Sequence, residues 1–244
     1  MYRLPLLSLL TLAACAPSRP AAELPTGPLA PGDRRLAVDS VAVDGTETST
    51  LYLVRDGDRQ PFGTLTEEVR LAPEGLVRVQ RLASPRGAQV DSLVAFPDLT
   101  PRSHYSQNPA RTVDLRFDQG SVTGSYTNAD AEPVRVRDSL ERPAFDSNVI
   151  DLVARALPLD AGFAETVRTY ERAAADAEVT AVPYTVRVVG QEVVGGRSAY
   201  VVEYRKPGGG PTRVYVDAET RRALRREAEV APGVLLVIEP SQGG

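Results

Sequence analysis

Apolar and polar residues alternate along much of this chain. In residues 112–117, Val113, Leu115 and Phe117 take every second position between polar neighbours. The same alternation recurs at residues 64–71, 88–96, 122–126, 134–137, 182–188 and 200–204. Successive side chains of a strand point to opposite faces, so each stretch is typical of a strand with one buried and one solvated face. Turns rich in Gly, Asp and Pro separate the stretches, and together they predict a mainly antiparallel β fold of about ten strands.

One segment departs from this alternation. Residues 145–157 carry apolar side chains at helical spacing, at Phe145, Val149, Leu152, Val153, Ala156 and Leu157. Asp146 or Ser147 can cap the first turn, and Pro158 ends the helix. The apolar side of this helix has to be buried, most simply against one face of the sheet.

Two further stretches fit either a helix or a strand. Residues 163–178 and 217–230 have helical spacing or helix propensity, yet each also contains an alternating or turn-like portion. We expect strands at 163–171 and 222–230, with boundaries left open.

The chain begins with a pattern that is typical of secretion. A short positive region, Met1 to Arg3, precedes an apolar run that is too short to span a bilayer. The run ends at Leu12-Ala13-Ala14-Cys15, which resembles the lipobox of bacterial lipoproteins. This resemblance implies a signal peptide over residues 1–14, cleavage between Ala14 and Cys15, and lipidation of Cys15. A plain signal peptide with an incidental cysteine is the alternative.

The lipobox also predicts where the protein resides. Two or more acyl chains anchor a protein stably, so we expect membrane attachment through the N-terminal lipid. Ala16 follows the cysteine in place of the Asp that resembles an inner-membrane retention signal. We therefore expect the cell envelope, and the outer membrane facing the periplasm in a bacterium with two membranes.

A Pro-rich segment separates this anchor from the rest of the chain. Residues 15–33 contain five prolines and predict an extended tether. No comparable break follows, so residues 34–240 are expected to form a single β-rich domain and residues 241–244 a short tail.

The body of the chain resembles a known group of envelope proteins. The residues that carry the likeness are Ala156 to Leu159, Val188 to Val193 and Val214 to Thr220. Together with the alternating strands and the single helix, these residues make the chain, over roughly residues 34–238, similar to uncharacterised members of the LolA-like half-barrel proteins. This resemblance implies a curved open sheet or half-barrel, with one or two helices on its concave face, that holds a lipid or acyl chain. No binding residue is carried over, because no ligand motif matches.

Composition excludes several functions. A formal net charge of -4 disfavours nucleic-acid binding, which needs a basic excess. One Cys, one His and no Trp leave few parts for thiolate metal sites or Cys–His catalysis, so we expect no metal, no cofactor and no enzymatic activity. The single histidine, His104, lies in a polar stretch and is expected on the surface or in a loop rather than in a catalytic site.

Charged residues are expected mainly on the solvated face. This applies to the carboxylates Glu67, Glu68, Asp91, Asp114, Asp146 and Asp151. It also applies to the arginines on the polar positions of strands, Arg70, Arg78, Arg116, Arg135, Arg137 and Arg187.

Two functions remain open from the sequence. The first is a non-catalytic module that binds a hydrophobic ligand or a lipid-bearing partner under the helix, with Val149, Leu152, Val153 and Ala156 as candidate contacts. The second is a structural or scaffolding lipoprotein whose β core is filled, with no small-molecule ligand. Large residues expected to face inward, Phe96, Phe117, Tyr126 and Tyr184, could fill the core, and the oligomeric state is left open.

Overall fold

A computed structural model describes residues 27–41, 44–73, 75–171 and 181–241. The predicted signal peptide, with Ala14, and Cys15 lie outside these residues, so the signal peptide, its cleavage and the lipidation stay predictions. None of the helices in the described ranges is long and apolar enough to cross a membrane.

The described chain forms one sheet of 15 strands. The strands are β1 (Gly45–Arg55), β2 (Asp58–Ala72), β3 (Gly75–Ser84), β4 (Gly87–Ala95), β5 (Pro101–Asn108), β6 (Arg111–Asp118), β7 (Ser121–Asn128), β8 (Val134–Ser139), β9 (Phe145–Asp146), β10 (Ala164–Tyr170), β11 (Val182–Val194), β12 (Arg197–Arg205), β13 (Thr212–Asp217), β14 (Ala223–Ala231) and β15 (Val234–Pro240). All neighbours pair antiparallel except β9 and β10, which pair in parallel. The mainly antiparallel prediction is confirmed.

The predicted number of about ten strands is wrong. Strands such as β5 (PRSHYSQN) escaped prediction because their inward side chains are polar, so the apolar alternation is missing. Both ambiguous stretches contain strands as expected, at β10 and β14. Residues 172–178, at the end of the first stretch, lie outside the described ranges.

The order of the strands shows an open sheet. It runs β8-β7-β6-β5-β4-β3-β2-β1-β15-β14-β13-β12-β11-β10-β9, with β8 and β9 at its two ends. One hydrophobic core nevertheless unites inward residues from strands far apart in this order, such as Leu93 of β4 and Val186 of β11. The sheet must therefore curve around a common centre. Near its ends, Tyr170 of β10 packs edge-on against Phe117 of β6, and its hydroxyl donates to Asp138 of β8 over 2.8 Å.

A short helix occupies that centre. A single 3-10 turn, Ser147–Val149, leads into helix α1 (Ile150–Ala156). Asp146 caps the 3-10 turn by accepting a hydrogen bond from the Asn148 backbone N–H. Leu157 is extended, as expected of a residue before proline, so the predicted cap and stop are both present.

Part of the predicted tether packs against the domain. Leu29 is fully buried, and its backbone N–H donates to Thr166 O at 2.7 Å in an isolated bridge to β10. Arg35 holds this segment by ion pairs with Asp33 at 2.7 Å and with Glu165 at 2.9 Å. The described part of the tether is thus docked on the sheet.

In strand β4, the side chains that face inward are the opposite set to the one that the sequence pattern suggests. In β4 the residues that face inward include Leu93 and Ala95, which are 2% and 0% exposed. Phe96, expected to help fill the core, is instead 48% exposed. The apolar residues at even positions of this strand misled the prediction, because both faces of β4 carry apolar side chains.

Candidate functional site

The concave face of the sheet is divided into two halves. Along β3 the inward residues run from Leu76 to Ser84 at every second position. Leu76 is fully buried in the core with α1, whereas Leu82 and Ser84 line a cleft that the helix does not reach. We call the region under α1 the packed half and the region lined by Leu82 the open half.

A row of polar side chains separates the two halves. Gln80 pairs in register with Glu67 on one side and with Asp91 on the other, and Leu93, two residues further along β4, pairs with His104. We define the polar belt as Glu67, Arg78, Gln80, Asp91, His104 and Arg226. It crosses strands β2 to β5 and β14.

The centre of the belt is a buried ionic cluster that fixes the helix. The Arg78 guanidinium donates to Asp151 of α1 at 2.6 and 2.8 Å, to Glu67 at 2.7 Å, and to the Asn148 carbonyl. Arg226 approaches Asp151 at 3.2 Å and Glu67 at 3.4 Å. Burial alone would raise the pKa of both carboxyls, but the two guanidinium groups lower the pKa of each below its usual range. Both carboxylates are therefore charged at neutral pH.

His104 forms the other end of the belt. Its Nδ1 lies 3.0 Å from Asp146 Oδ2, and its Nε2 lies 3.9 Å from Asp91 Oδ1. Burial lowers the pKa of the ring, but Asp146 and Asp91 together raise the pKa to about 10. The Asn148 amide nitrogen is 2.6 Å from Nε2. A protonated ring donates from both nitrogens, so the charged state requires this amide to turn its oxygen toward the ring.

These contacts correct several expectations about charged residues. His104 is a strand residue with a side chain only 12% exposed, not a surface or loop histidine. Arg78 was expected on the outer face, yet its side chain is 3% exposed. The carboxylates expected in solvent but found buried or mostly buried are Glu67, Asp91, Asp146 and Asp151. Burial is possible because each has a cationic partner, which single-strand patterns do not show.

A signal for part of the belt was present in the sequence. Glu67 stands between Leu65 and Val69 on the inward positions of β2. A charged residue in the middle of an apolar row has to be paired when the row is buried. No such signal marks Asp151, whose position on the helix is otherwise consistent with solvent.

The open half is an apolar cleft of about 540 Å³. It lies at the ends of β1, β2, β3, β14 and β15, beside the β5–β6 turn. Its lining residues are Leu53, Arg55, Phe62, Leu82, Ser84, Arg86, Gly87, Ala88, Gln89, Asn108, Pro109, Ala110, Val230, Ala231, Val234 and Leu236. This volume falls within the range of small-molecule sites.

Two other cavities differ from this cleft in their chemistry. A polar pocket of about 150 Å³ lies beside His104, and Asp91, Asp146 and Glu171 contribute to its walls. A cleft of about 570 Å³ at the opposite end of the sheet is lined by charges of both signs, Arg102, Asp118, Glu141 and Arg142, as well as by apolar residues. Within the described ranges, no three Cys, His, Asp or Glu side chains converge in a way that could hold a metal ion.

The four residues predicted to contact a ligand lie in the packed half. Val149, Leu152, Val153 and Ala156 are each 0% exposed. All four belong to the main core, and none lines the cleft of the open half. Ligand contact by these residues stays a prediction; in this structure they pack in the core with sheet residues such as Val186 and Val202.

Comparison with solved structures finds distant similarities. MucB shares 18% sequence identity and a TM-score of 0.31, over 86% of this chain and 55% of that chain. A MucA/MucB complex from Pseudomonas aeruginosa shares 16% sequence identity and has a TM-score of 0.32, over 84% of this chain and 53% of that chain. A DUF1329 family protein from Desulfovibrio piger ATCC 29098 shares 12% sequence identity and has a TM-score of 0.29, over 84% of this chain and 87% of that chain. The chain thus spans about half the length of the MucB chains, and similarity at this level identifies no function.

Sequence comparison is more direct. A search of curated proteins finds no match. A family model matches residues 46–237, which include all of the sheet except the outermost residues of β1 and β15. The chain therefore belongs to the family described as Protein of unknown function (DUF3108).

Proposed function

We propose that this protein is a non-catalytic module of the cell envelope that holds a hydrophobic ligand in the open half of its concave face. The observation that carries the proposal is the cleft of about 540 Å³ beyond the polar belt. Its walls include Leu53, Leu82 and Leu236, which are only half-buried. The site differs from the one expected from sequence, which lay under the helix.

The physical reason is the apolar surface that the cleft leaves in contact with water. Transfer of one methylene from water into an apolar site contributes about 0.8 kcal/mol. An acyl chain in the cleft would cover the aliphatic side chains of β1, β3 and β15 together. The polar belt would form the inner boundary, because its charges are held by partners and cannot move aside cheaply.

The membrane anchor belongs to the same proposal. The Leu12 to Cys15 pattern supports lipidation, and residues 16–26 would connect the lipid to the docked segment that begins at Gly27. An extended Pro-rich chain reaches roughly 3.1 Å per residue, so the domain would remain within tens of ångströms of the membrane. A Cys15→Ser protein should then leave the membrane fraction, and unchanged partitioning would contradict the anchor.

The geometry of His104 supports a role other than catalysis. The ring is held between Asp146 and Asn148, both of which come from the segment that leads into α1. Ser103, its neighbour in sequence, lies on the opposite face of β5, and the hydrogen bonds of His104 in the described residues include none to a serine, threonine or cysteine. We propose that His104 ties β5 to the helix segment.

Uptake of a fluorescent long-chain fatty acid by the purified domain tests the proposal. Leu82→Trp adds bulk to the cleft wall and should weaken uptake by about tenfold or more. Val193→Trp is the matched control, because Val193 is 75% exposed and does not line the cleft. Wild-type uptake that Leu82→Trp leaves unchanged would place the ligand elsewhere, and absence of uptake by a folded wild type would favour the scaffolding alternative.

A further inference from the structure

We infer that the ligand of the open half is an anionic amphiphile, whose headgroup meets Arg55 and Arg86 while its apolar chain fills the cleft. This inference rests on the proposed function and adds the chemical class of the ligand. The charged residues that line the cleft are Arg55 and Arg86, and no Asp or Glu lines it.

This local charge contrasts with that of the whole protein. The chain carries 32 Asp and Glu against 28 Lys and Arg, so a wall with two cations and no anion differs in sign from the average surface. Both arginines stand at turns, Arg55 at the end of β1 and Arg86 between β3 and β4. Their place at hairpin ends puts positive charge at the end of the cleft that lies away from the polar belt.

Neither guanidinium forms an ion pair within the part of the chain that the structure describes, although Asp58 is the register partner of Arg55 across the β1–β2 turn. Arg59, on the strand that pairs with β1, forms an ion pair with Glu239 at 2.5 Å and stacks on Tyr52. Arg55 and Arg86, in contrast, have no carboxylate within 4.0 Å among the described residues. The Arg86 guanidinium lies 5.8 Å from the centre of the Phe62 ring, which itself lines the cleft. Two cations at the cleft are therefore available to an anion.

The inner end of the site is less suited to an anion. Arg111 lines the polar pocket beside His104, but Asp91, Asp146 and Glu171 line the same pocket. Three carboxylates would repel an anionic headgroup, even with His104 protonated. The favoured orientation therefore places the headgroup at Arg55 and Arg86 and the apolar chain toward Leu82 and Leu236.

The chemistry of arginine defines which headgroups fit. A guanidinium binds carboxylates and phosphates with two parallel hydrogen bonds, so a fatty acid and a phosphate-bearing lysolipid share the required group. The apolar cleft supplies affinity for the chain common to both. Competition binding distinguishes the carboxylate of a fatty acid from the phosphate of a lysolipid.

The test compares ligands that differ only in the headgroup. Wild-type protein is titrated with a fluorescent long-chain fatty acid, with its methyl ester, and with unlabelled lysophosphatidic acid as a competitor. We expect the acid to bind about tenfold more tightly than the ester, and this preference to shrink at high salt. Competition by lysophosphatidic acid at lower concentration than by unlabelled fatty acid would assign the headgroup as a phosphate, and the reverse order as a carboxylate.

Variants locate the headgroup. Arg55→Gln/Arg86→Gln should abolish the preference for the acid and leave binding of the ester unchanged. Arg135→Gln/Arg137→Gln removes two exposed arginines from β8, far along the sheet, and should behave as wild type. Equal binding of acid and ester by the wild type, or a preference that survives in Arg55→Gln/Arg86→Gln, would overturn the inference while leaving the cleft as a binding site. Failure of both ligands to bind would instead refute the proposed function itself.

Discussion

The packed half and the open half of the concave face are built from the same strands but have different surroundings. In β3, Leu76 is fully buried under α1, whereas Leu82, six residues later on the same face, is only half-buried beside the cleft. The same kind of side chain is therefore fully packed in one half and borders a water-accessible cleft in the other. The polar belt marks the boundary, because two of its cations, Arg78 and Arg226, pair with Asp151 of the helix.

The boundary itself is the most sensitive place to test this division. Arg78→Met removes the cation that contacts Glu67, Asp151 and the Asn148 carbonyl. The two carboxylates would lose the cation closest to them and keep only the longer contacts of Arg226 as ion pairs, and breaking such a network costs about 3 to 5 kcal/mol. Chemical denaturation should show this loss in the free energy of unfolding.

The control for that variant is Arg116→Met. The Arg116 side chain is 66% exposed, and its approach to Asp114 is a loose 3.9 Å. Its removal should change the free energy of unfolding by less than about 0.5 kcal/mol. Similar losses in the two variants would mean that the ionic cluster does not hold the helix.

Truncation of one leucine in each half gives the next largest difference. Leu152→Ala creates a cavity in the packed half, where the side chain is 0% exposed, and should cost about 3 kcal/mol. Leu82→Ala, in the open half, should cost about 1 kcal/mol or less, because water already reaches that wall. Thermal and chemical denaturation would measure the loss in the free energy of unfolding for each variant. Equal losses would show that the cleft is closed in solution.

The pH dependence of stability tests the far end of the belt. The pKa of His104 is raised from 6.5 to about 10 in the folded protein, so its contribution is complete below pH 6.5 and is lost as pH rises toward 10. We expect the free energy of unfolding to fall by roughly 2 kcal/mol across this window, allowing for partial exposure of the ring. The pKa values of Tyr184 and Tyr204 are also raised in the folded protein, so these phenols reduce stability only near the top of this window and above it, where unfolded tyrosines ionise.

His104→Gln provides the comparison for that titration. A glutamine keeps hydrogen-bonding capacity but cannot take up a proton, so the variant should be less stable at pH 6 and should lose the decline between pH 7 and pH 10. A wild-type profile parallel to that of the variant would show that the ring is neutral when folded. Histidine resonances followed by NMR would identify the titrating group directly.

The sequence predicted the antiparallel sheet, the single helix, its cap and its stop, because each depends on local patterns. The even-numbered residues of 182–188 and 200–204 face the core, as their alternation indicated. The sequence did not predict the ionic cluster. Arg78 and Asp151 are 73 residues apart, and only the curvature of the sheet brings them together.

The location of the cleft escaped prediction for a related reason. Apolar residues on the helix suggested a ligand site there, but the same residues serve equally well to fill space. Leu82 and Val202 are both aliphatic residues on the inward face of a strand, yet one lines a cleft and the other is fully buried. Which half of the face stays open depends on the length of α1, seven residues from Ile150 to Ala156, relative to the strands that it covers.

Native mass spectrometry of the protein purified from the cells that produce it tests the central claim most directly. The wild type should carry a bound acyl-bearing molecule that is released on collisional activation, and Leu82→Trp should carry much less of it while Val193→Trp retains it. A wild type that is folded, free of bound lipid and indistinguishable from Leu82→Trp would contradict the account.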